Sequence, residues 1–251
     1  MIYLGTAGWA LSQPHAERFP RDGSQLERYA SGLNAVEINS SFYRPHRPTT
    51  YARWAETVPC DFRFCAKLPK VITHERRLVA CEAELEAFLA ACGELGQRLG
   101  CLLIQLPPSL AFDPVLVERF LRALRQRYHG GLAIEPRHAS WQQAQPLLDD
   151  LQVARVAADP SRFDGDDRPS GWPGLVYWRL HGTPRVYYSD YTPAWLDAFT
   201  QRLLESAAAG VPTWCIFDNT AAGAALGNAL EVRKQLQAQP DQTFASPRPL
   251  L

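Results

Sequence analysis

Residues 102–135 read LLIQLPPSLAFDPVLVERFLRALRQRYHGGLAIE, and this stretch decides the fold class. It begins with an apolar run, passes through a polar turn, continues with helical periodicity and ends in a second apolar run. Asp113 and Pro114 supply a helix cap and a first-turn proline, and Gly130 and Gly131 follow the helix. Strands that are apolar on both faces need helices to cover them, so this order predicts a parallel βαβ unit.

The same alternation recurs along the whole chain. Eight apolar runs are each followed by polar or special residues, and we expect each run to form a parallel strand. The strand candidates are Ile2 to Thr6, Ala35 to Asn39, Arg63 to Lys67, Leu102 to Leu106, Leu132 to Glu135, Ala154 to Ala158, Val176 to Leu180 and Thr213 to Phe217.

Helical periodicity fills most of the intervals between these runs. The helix candidates are Glu82 to Leu99 with Gly100 as its end, Pro114 to Tyr128, about Ser140 to Asp150, Thr192 to Ala209 and Ala221 to Gln237. The sixth unit is irregular, because Pro160 to Gly174 is a long polar loop. Eight units in 251 residues predict one α/β domain over residues 1–251, a single TIM-type (β/α)8 barrel, with the tail 240–251 on the surface.

The composition limits which binding partners and which cellular compartment we expect for the protein. Lysine plus arginine equals aspartate plus glutamate at 26 each, so no overall charge attracts the chain to a polyanion or an acidic membrane. The six cysteines form no C-x-x-C pair, and three of them lie in strand-like runs, which favours buried thiols. No basic leader and no long uncharged apolar stretch appears, so we expect a cytoplasmic protein without a membrane partner.

Polar and ionisable residues gather where the predicted strands end. In a barrel this is the face where the βα loops build a site, so these residues are the candidates for function. They are Trp9, Glu37, Asn39, Lys67, Gln105, Glu135, Arg137, His138, Asp159, Arg179, His181, Asp218 and Asn219.

The segments that carry these residues also resemble a known family. They are GTAGW (5–9), VEINSSFY (36–43), FCAK (64–67) with ITH (72–74), QLPPS (105–109), EPRH (135–138) with SW (140–141), RLHG (179–182) and FDNT (217–220). In this order they look like the motifs of the YecE-like family, the domain of unknown function 72. The resemblance covers nearly the full chain and implies a TIM-type barrel, but it brings no established reaction.

Glu37 and Glu135 are candidates for a catalytic carboxylate pair. They can act as acid and base, or hold a divalent metal together with His181 and Asp218. No H-E-x-x-H or clustered histidine spacing supports the metal, so the cofactor is left unknown. The alternative is an ion-pair network with the basic strand-end residues, and the sequence leaves these interpretations open.

Lys67 and His181 are the other two catalytic candidates. Lys67 ends a strand in apolar surroundings, which lowers a lysine pKa toward the range of a general base or a Schiff-base amine. The alternative is a cation paired with Glu37 or Glu135. His181 precedes Gly182, a place suited to proton transfer or equally to a structural hydrogen bond.

The remaining strand-end and loop residues are candidates for substrate binding. They are Trp9, Asn39, Tyr43, His74, Gln105, Arg137, His138, Trp141, Arg179, Asp218 and Asn219. Basic residues in the second and third loops, Arg44, His46, Arg47, Lys70, Arg76 and Arg77, offer local attraction for an anion. We therefore expect a lyase, isomerase or hydrolase acting on a small anionic or polyhydroxylated substrate. The alternative is a non-catalytic module that binds nucleic acid or a nucleotide through basic loops and an aromatic rim. The oligomeric state is left open.

Overall fold

The computed structural model describes residues 1–238. Ten strands and eight α-helices alternate along this part of the chain. The strands are β1 (Ile2–Thr6), β2 (Ala35–Ile38), β3 (Arg63–Lys67), β4 (Leu99–Gln105), β5 (Gly131–Glu135), β6 (Ala154–Arg155), β7 (Ala157–Asp159), β8 (Ser170–Gly171), β9 (Val176–Leu180) and β10 (Thr213–Phe217). The helices are α1 (Gln25–Ala30), α2 (Ser40–Tyr43), α3 (Pro48–Thr57), α4 (Glu82–Cys92), α5 (Pro114–Arg125), α6 (Gln145–Asp150), α7 (Pro193–Ala208) and α8 (Ala224–Gln237).

The strands form a mixed α/β fold with two sheets. One sheet has the order β1-β10-β9-β7, and the other has the order β2-β3-β4-β5-β6-β8. All neighbours run parallel except β6 and β8, which pair antiparallel. Parallel neighbours place the carboxyl ends of their strands at the same edge, so residues far apart in sequence meet there.

Two places bring the sheets together. A parallel bridge joins Ala7 to Glu37, and the Gly8 amide donates to the Glu37 carbonyl at 2.8 Å. At the other side β6 and β7 are separated only by Val156, whose amide donates to the carbonyl of Ile134 at 2.9 Å. The strands are assigned to two sheets rather than one closed ring, so the predicted single barrel stays a prediction.

The strand predictions agree with the structure to within a few residues at each end. Four of the eight candidates have the predicted limits, and the run Ala154 to Ala158 divides into β6 and β7. Asp113 caps α5, since its side chain accepts from two first-turn amides. The sixth unit has a loop in place of a helix, as predicted, and contributes the short strand β8.

The predicted end of the helix after Glu82 is wrong. α4 ends at Cys92, a 3-10 turn spans Gly93–Arg98, and Gly100 lies inside β4 instead of terminating a helix. The positive φ of Gly96, 54°, breaks the helical path earlier. Gly100 is required for packing, because a Cβ there would lie 2.7 Å from the Trp214 ring.

Two apolar clusters stabilise the fold. The larger one lies between the strands and the helices, and it includes Trp178 and Leu180 of β9. The smaller one takes alternate residues from strands of both sheets, among them Tyr177 of β9 and Trp214 of β10. Because side chains alternate along a strand, the smaller cluster and the ionisable residues that follow it share one face of the strands.

The predicted surface tail, residues 240–251, lies outside the described residues. All six cysteines lie within them and are free thiols, five of them buried. None of the helices in residues 1–238 combines the length and the apolar character that a membrane crossing requires.

Candidate functional site

An ionic cluster occupies the carboxyl ends of five strands. Its members are Glu37 of β2, Lys67 of β3, Glu135 of β5, Arg179 of β9 with His181 just beyond it, and Asp218 directly after β10. Each of these residues is at most 4% exposed. The strand ends predicted from sequence therefore converge, although their positions span more than two thirds of the chain.

Arg179 is the centre of this cluster. Its Nε and Nη2 donate to the two Glu37 carboxylate oxygens at 3.0 and 2.7 Å, and Nη1 donates to Glu135 Oε2 at 2.9 Å. Nη2 also lies 3.0 Å from Asp218 Oδ2. One guanidinium thus joins three carboxylates, which its planar fork of donors suits.

The electrostatics of the cluster follow from this arrangement. Burial opposes the charged form of Arg179, but the three carboxylates hold its pKa well above the ordinary value. Burial alone would raise the pKa of Glu135, yet Arg137, Arg179 and His181 hold it well below the ordinary value. Glu135 therefore stays ionised in a site that excludes most water.

This geometry corrects one predicted role. Arg179 was expected to hold the charge of a substrate, but it is completely buried and its donors face Glu37, Glu135 and Asp218. Arg179 instead positions the carboxylates. Tyr177 is not among the candidates predicted from sequence, and its hydroxyl donates to Glu37 Oε2 at 3.0 Å. Its position two residues before Arg179, on the same face of β9, is the sequence feature that indicates this role.

His181 links two of the carboxylates. Its Nε2 lies 2.9 Å from Glu135 Oε1, and its Nδ1 lies 2.9 Å from Asp218 Oδ2. Ionised carboxylates only accept hydrogen bonds, so a proton can be passed among these three groups through the ring. The arrangement suits proton transfer.

Arg137 borders the cluster. Its Nη2 donates to Glu135 Oε1 at 2.9 Å, and its Nη1 lies 3.4 Å from the hydroxyl of Tyr187. The side chain is 8% exposed, and its Nε is buried without a hydrogen-bond partner in the structure. A buried donor without an acceptor costs free energy, so Arg137 is paired less completely than Arg179.

Lys67 is held differently from the other charges. Its ammonium donates to Asn39 Oδ1 at 2.9 Å and lies 4.3 Å from the centre of the Phe42 ring. Within residues 1–238 no carboxylate lies at ion-pairing distance from it, so the predicted pairing with Glu37 or Glu135 is wrong. Burial, and then the charge of Arg179, lower the pKa of Lys67 to about 8.

Two further candidates lie next to these residues. The His74 ring packs edge-on against Phe42 with ring centres 4.9 Å apart, and its Nδ1 lies 2.9 Å from Thr73 Oγ1. Burial, followed by the charges of Lys67 and Arg137, lowers the pKa of His74. Gln105 is buried and pairs in register with Glu135 on the neighbouring strand.

Other predicted binding residues have structural contacts. Trp141 is completely buried and donates from Nε1 to the Leu110 carbonyl, so its ring offers no accessible surface for the predicted role in substrate binding. Asn219, also buried, donates to the Ser189 carbonyl and to Asn228, tying a loop to α8. His138 caps the following 3-10 turn through its Nδ1.

The two remaining aromatic candidates lie toward the periphery. Trp9 packs edge-on against Trp54 of α3, with ring centres 4.9 Å apart. Tyr43 is 70% exposed and contacts the edge of Phe42. Within residues 1–238 neither ring packs against a ring or forms a hydrogen bond in the ionic cluster.

The carboxylates fit a metal poorly. Within the described part of the chain no group of three or more His, Cys, Asp or Glu side chains is arranged to hold an ion. Glu37, Glu135 and Asp218 direct their oxygens at Arg179, so their ligand positions are already used by a cation.

Of the basic loop residues that were candidates for attracting an anion, Lys70 is paired with Glu75 and Arg76 with Glu84.

Comparisons with known proteins match this chain at the level of family. A family model described as "Protein of unknown function DUF72" matches residues 3–250. The UPF0759 protein YecE of Escherichia coli (strain K12) is 33% identical over 141 residues, which are 55% of this chain and 49% of that protein. The UPF0759 protein YunF of Bacillus subtilis (strain 168) is 30% identical over 150 residues, covering 56% and 52%. The matched region spans about half the length of these curated relatives.

Solved structures extend the similarity to the fold. A DUF72 family protein from Enterococcus faecalis V583 superimposes with a TM-score of 0.79 at 24% identity, covering 96% of this chain and 97% of that one. Another from Thermotoga maritima MSB8 gives a TM-score of 0.76 at 24% identity, covering 94% and 99%. The family model and these relatives agree: the chain belongs to DUF72, a family of unknown function.

Proposed function

We propose that this chain is an enzyme that acts on a small anionic or polyhydroxylated, sugar- or nucleotide-like substrate by acid–base chemistry. The proposal includes the architecture: the two sheets are arcs of one (β/α)8 barrel, and the ionic cluster lies at its carboxyl-terminal face. The Ala7–Glu37 bridge and the continuity of β6 with β7 support closure. So does the apolar cluster to which strands of both sheets contribute alternate residues.

One observation carries the enzymatic proposal. Lys67 is 4% exposed, yet no carboxylate of residues 1–238 lies at ion-pairing distance from its ammonium, whereas Arg179 and Arg137 of the same site are both paired. A buried, unpaired cation is costly to stability, and such cost is concentrated at functional sites.

Two cations of the site favour an anionic ligand. Three carboxylates, Glu37, Glu135 and Asp218, balance three cationic side chains, Lys67, Arg137 and Arg179, but Lys67 has no carboxylate of residues 1–238 at ion-pairing distance. A phosphate or carboxylate that enters the site can pair with the Lys67 ammonium and accept from the Nε–H of Arg137, which has no acceptor among residues 1–238.

The proposed roles follow from the contacts. Lys67 exchanges a proton with the substrate, and the Glu135–His181–Asp218 chain relays it. Arg137 binds the anionic group of the substrate. Arg179 and Tyr177 hold Glu37 in place, and are therefore positioning residues.

A ligand panel tests the proposal. Calorimetry with inorganic phosphate, ribose 5-phosphate, AMP and malate is run on the wild type, Lys67→Met and the control Lys70→Met, which alters an exposed lysine paired with Glu75. We expect a panel member to bind the wild type and the control equally, and Lys67→Met to weaken binding at least about tenfold, or about 1.4 kcal/mol. We also expect turnover of that compound to be lost in Glu135→Gln.

The nucleic-acid hypothesis makes a different prediction in the same experiment. It rests on the exposed Tyr43 and on the basic loop residues Arg44 and Arg47 beside it. A salt-sensitive affinity for an RNA or DNA oligonucleotide, unchanged by Lys67→Met and without product, would replace the enzymatic proposal. If no member of the panel binds in a Lys67-dependent manner, the enzymatic proposal is also contradicted.

A further inference from the structure

We propose that Lys67 is a nucleophile that forms an imine with the carbonyl carbon of an anionic aldehyde or ketone, and that Arg137 binds the carboxylate or phosphate of the same molecule. This inference rests on the proposed function, because it specifies the substrate class and the covalent step of the same site. Lys67 then has a covalent role, whereas the other charged groups of the cluster keep their ionic or proton-transfer roles.

The contacts of Lys67 suit a nucleophile better than a structural cation. A carboxylate at ion-pairing distance would keep the amine protonated, and within residues 1–238 none lies there. Its ammonium contacts the neutral amide oxygen of Asn39 and the face of the Phe42 ring. An amide oxygen accepts from a neutral amine as well as from an ammonium, so it orients Nζ in both protonation states.

The protonation equilibrium of Lys67 also supports its role as a nucleophile. Burial and the charge of Arg179 lower the pKa of Lys67 to about 8, so about a tenth of the amine is neutral at pH 7. An unperturbed lysine, with a pKa of about 10.4, has a far smaller neutral fraction. Desolvation next to another cation is a known means of activating a lysine toward carbonyl compounds.

The step balances without a further reagent. The Nζ lone pair of the neutral amine attacks the carbonyl carbon, a C–N bond forms as the C=O π bond breaks, and one proton passes from nitrogen to the carbonyl oxygen to give a carbinolamine. A second proton, taken up from solvent, protonates that oxygen; the C–O bond breaks, water leaves and the protonated imine remains. These transfers need a group that gives and takes protons, and the Glu135–His181–Asp218 chain belongs to the same cluster.

Arg137 supplies the second half of the proposed site. Its side chain is 8% exposed, and its buried Nε has no hydrogen-bond partner among residues 1–238. The charges of Lys67 and Arg137 both act on the ring of His74, so the two cations lie within electrostatic range of one small region. A molecule with a carbonyl and an anionic group a few bonds apart matches this pair of cations.

Borohydride trapping tests the imine directly. Lysine occurs three times in the sequence, at Lys67, Lys70 and Lys234, so peptide mapping of the full-length protein resolves every lysine. Glyoxylate, pyruvate and dihydroxyacetone phosphate are the probes, each with sodium borohydride across pH 6 to 9. We expect the reduced adduct on Lys67, with at least about a tenfold excess over Lys70 and Lys234, and a yield that rises through about pH 8.

Two comparisons separate the parts of the proposal. Arg137→Met should reduce trapping of pyruvate at least about tenfold and leave trapping of acetone, which has no anionic group, nearly unchanged. Lys67→Arg keeps the charge and should abolish the adduct. Lys70 and Lys234 act as internal controls within one folded protein, so the result does not depend on a variant that folds.

The failures of the two proposals are distinguishable. If Lys67 is trapped no faster than the exposed lysines by all three probes, the imine is refuted. When anion binding still depends on Lys67 in that case, the acid–base function stands. If neither trapping nor binding depends on Lys67, both proposals fall.

Discussion

Arg179 shows how one residue organises the site. A guanidinium spreads its charge over a plane of five donors, so it can pair with three carboxylates from three different strands while completely buried. Such a network adds little net stability compared with a well-packed apolar core, because each charge has to leave water. Removing one partner lowers stability strongly, because it leaves the opposite charges buried and uncompensated.

Replacing Arg179 with methionine tests this argument. Arg179→Met leaves Glu37, Glu135 and Asp218 without their shared cation, and we expect the free energy of unfolding to fall by about 3–5 kcal/mol. Urea denaturation followed by circular dichroism measures it. The matched control is Arg122→Met, which removes exposed pairs with Glu118 and Asp150 and should cost at most about 1 kcal/mol. Equal losses in the two variants would contradict the central role of Arg179.

At the scale of the element, the loop between β7 and β8 replaces a helix of the repeating unit. Asp166 anchors it: its carbonyl accepts from the Ala158 amide at 2.7 Å, and its Oδ2 accepts from the Arg162 amide at 3.0 Å. Asp166 is completely buried, and in the described part of the chain its Oδ1 has no hydrogen-bond partner. Burial raises the pKa of this carboxyl to about 6.

The raised pKa of Asp166 predicts a pH dependence of stability. Below about pH 4 the carboxyl is protonated in both states, and its titration has no effect. Between about pH 4 and 6 the unfolded chain releases the proton while the folded chain keeps it, so the free energy of unfolding falls as the pH rises. We expect Asp166→Asn to be more stable than the wild type by about 1–2 kcal/mol at pH 7, with the difference vanishing near pH 4.

Thermal unfolding of the two proteins from pH 4 to 7 measures this difference. Asp164→Asn, at an exposed position of the same loop, should follow the wild-type curve. A constant offset between Asp166→Asn and the wild type at every pH would show that packing, not titration, is responsible.

At the scale of the whole molecule, the rigidity of the site depends on whether the strands close into a ring. Glu37 belongs to β2 and Arg179 to β9, and the two sheets that hold these strands meet at the Ala7–Glu37 bridge. In a closed barrel neither β1 nor β2 is an edge strand, so the ion pairs between the sheets hold their geometry.

Hydrogen exchange at the two junctions tests closure. The Gly8 amide donates from one sheet to the Glu37 carbonyl of the other at 2.8 Å, and the Val156 amide, at the point where β6 passes into β7, donates to Ile134 of β5 at 2.9 Å. A closed ring predicts that they exchange only on global unfolding, within about tenfold of the Leu68 amide, which donates to Leu103 inside a sheet at 2.9 Å. Exchange of Gly8 about a hundredfold faster than Leu68 would indicate an open edge.

The sequence by itself determined the strands, the irregular sixth unit and the set of polar residues at the strand ends. These features depend on local patterns: apolar runs between polar turns, the Asp113-Pro114 cap and polar residues placed directly after a run. Only the tertiary structure decided the partners. Arg179 holds Glu37 across 142 positions, Lys67 has Asn39 and Phe42 in place of a carboxylate, and Trp141 lies in the core. Neighbouring strands bring distant residues together, and which of them pair depends on register and burial, which no local pattern encodes.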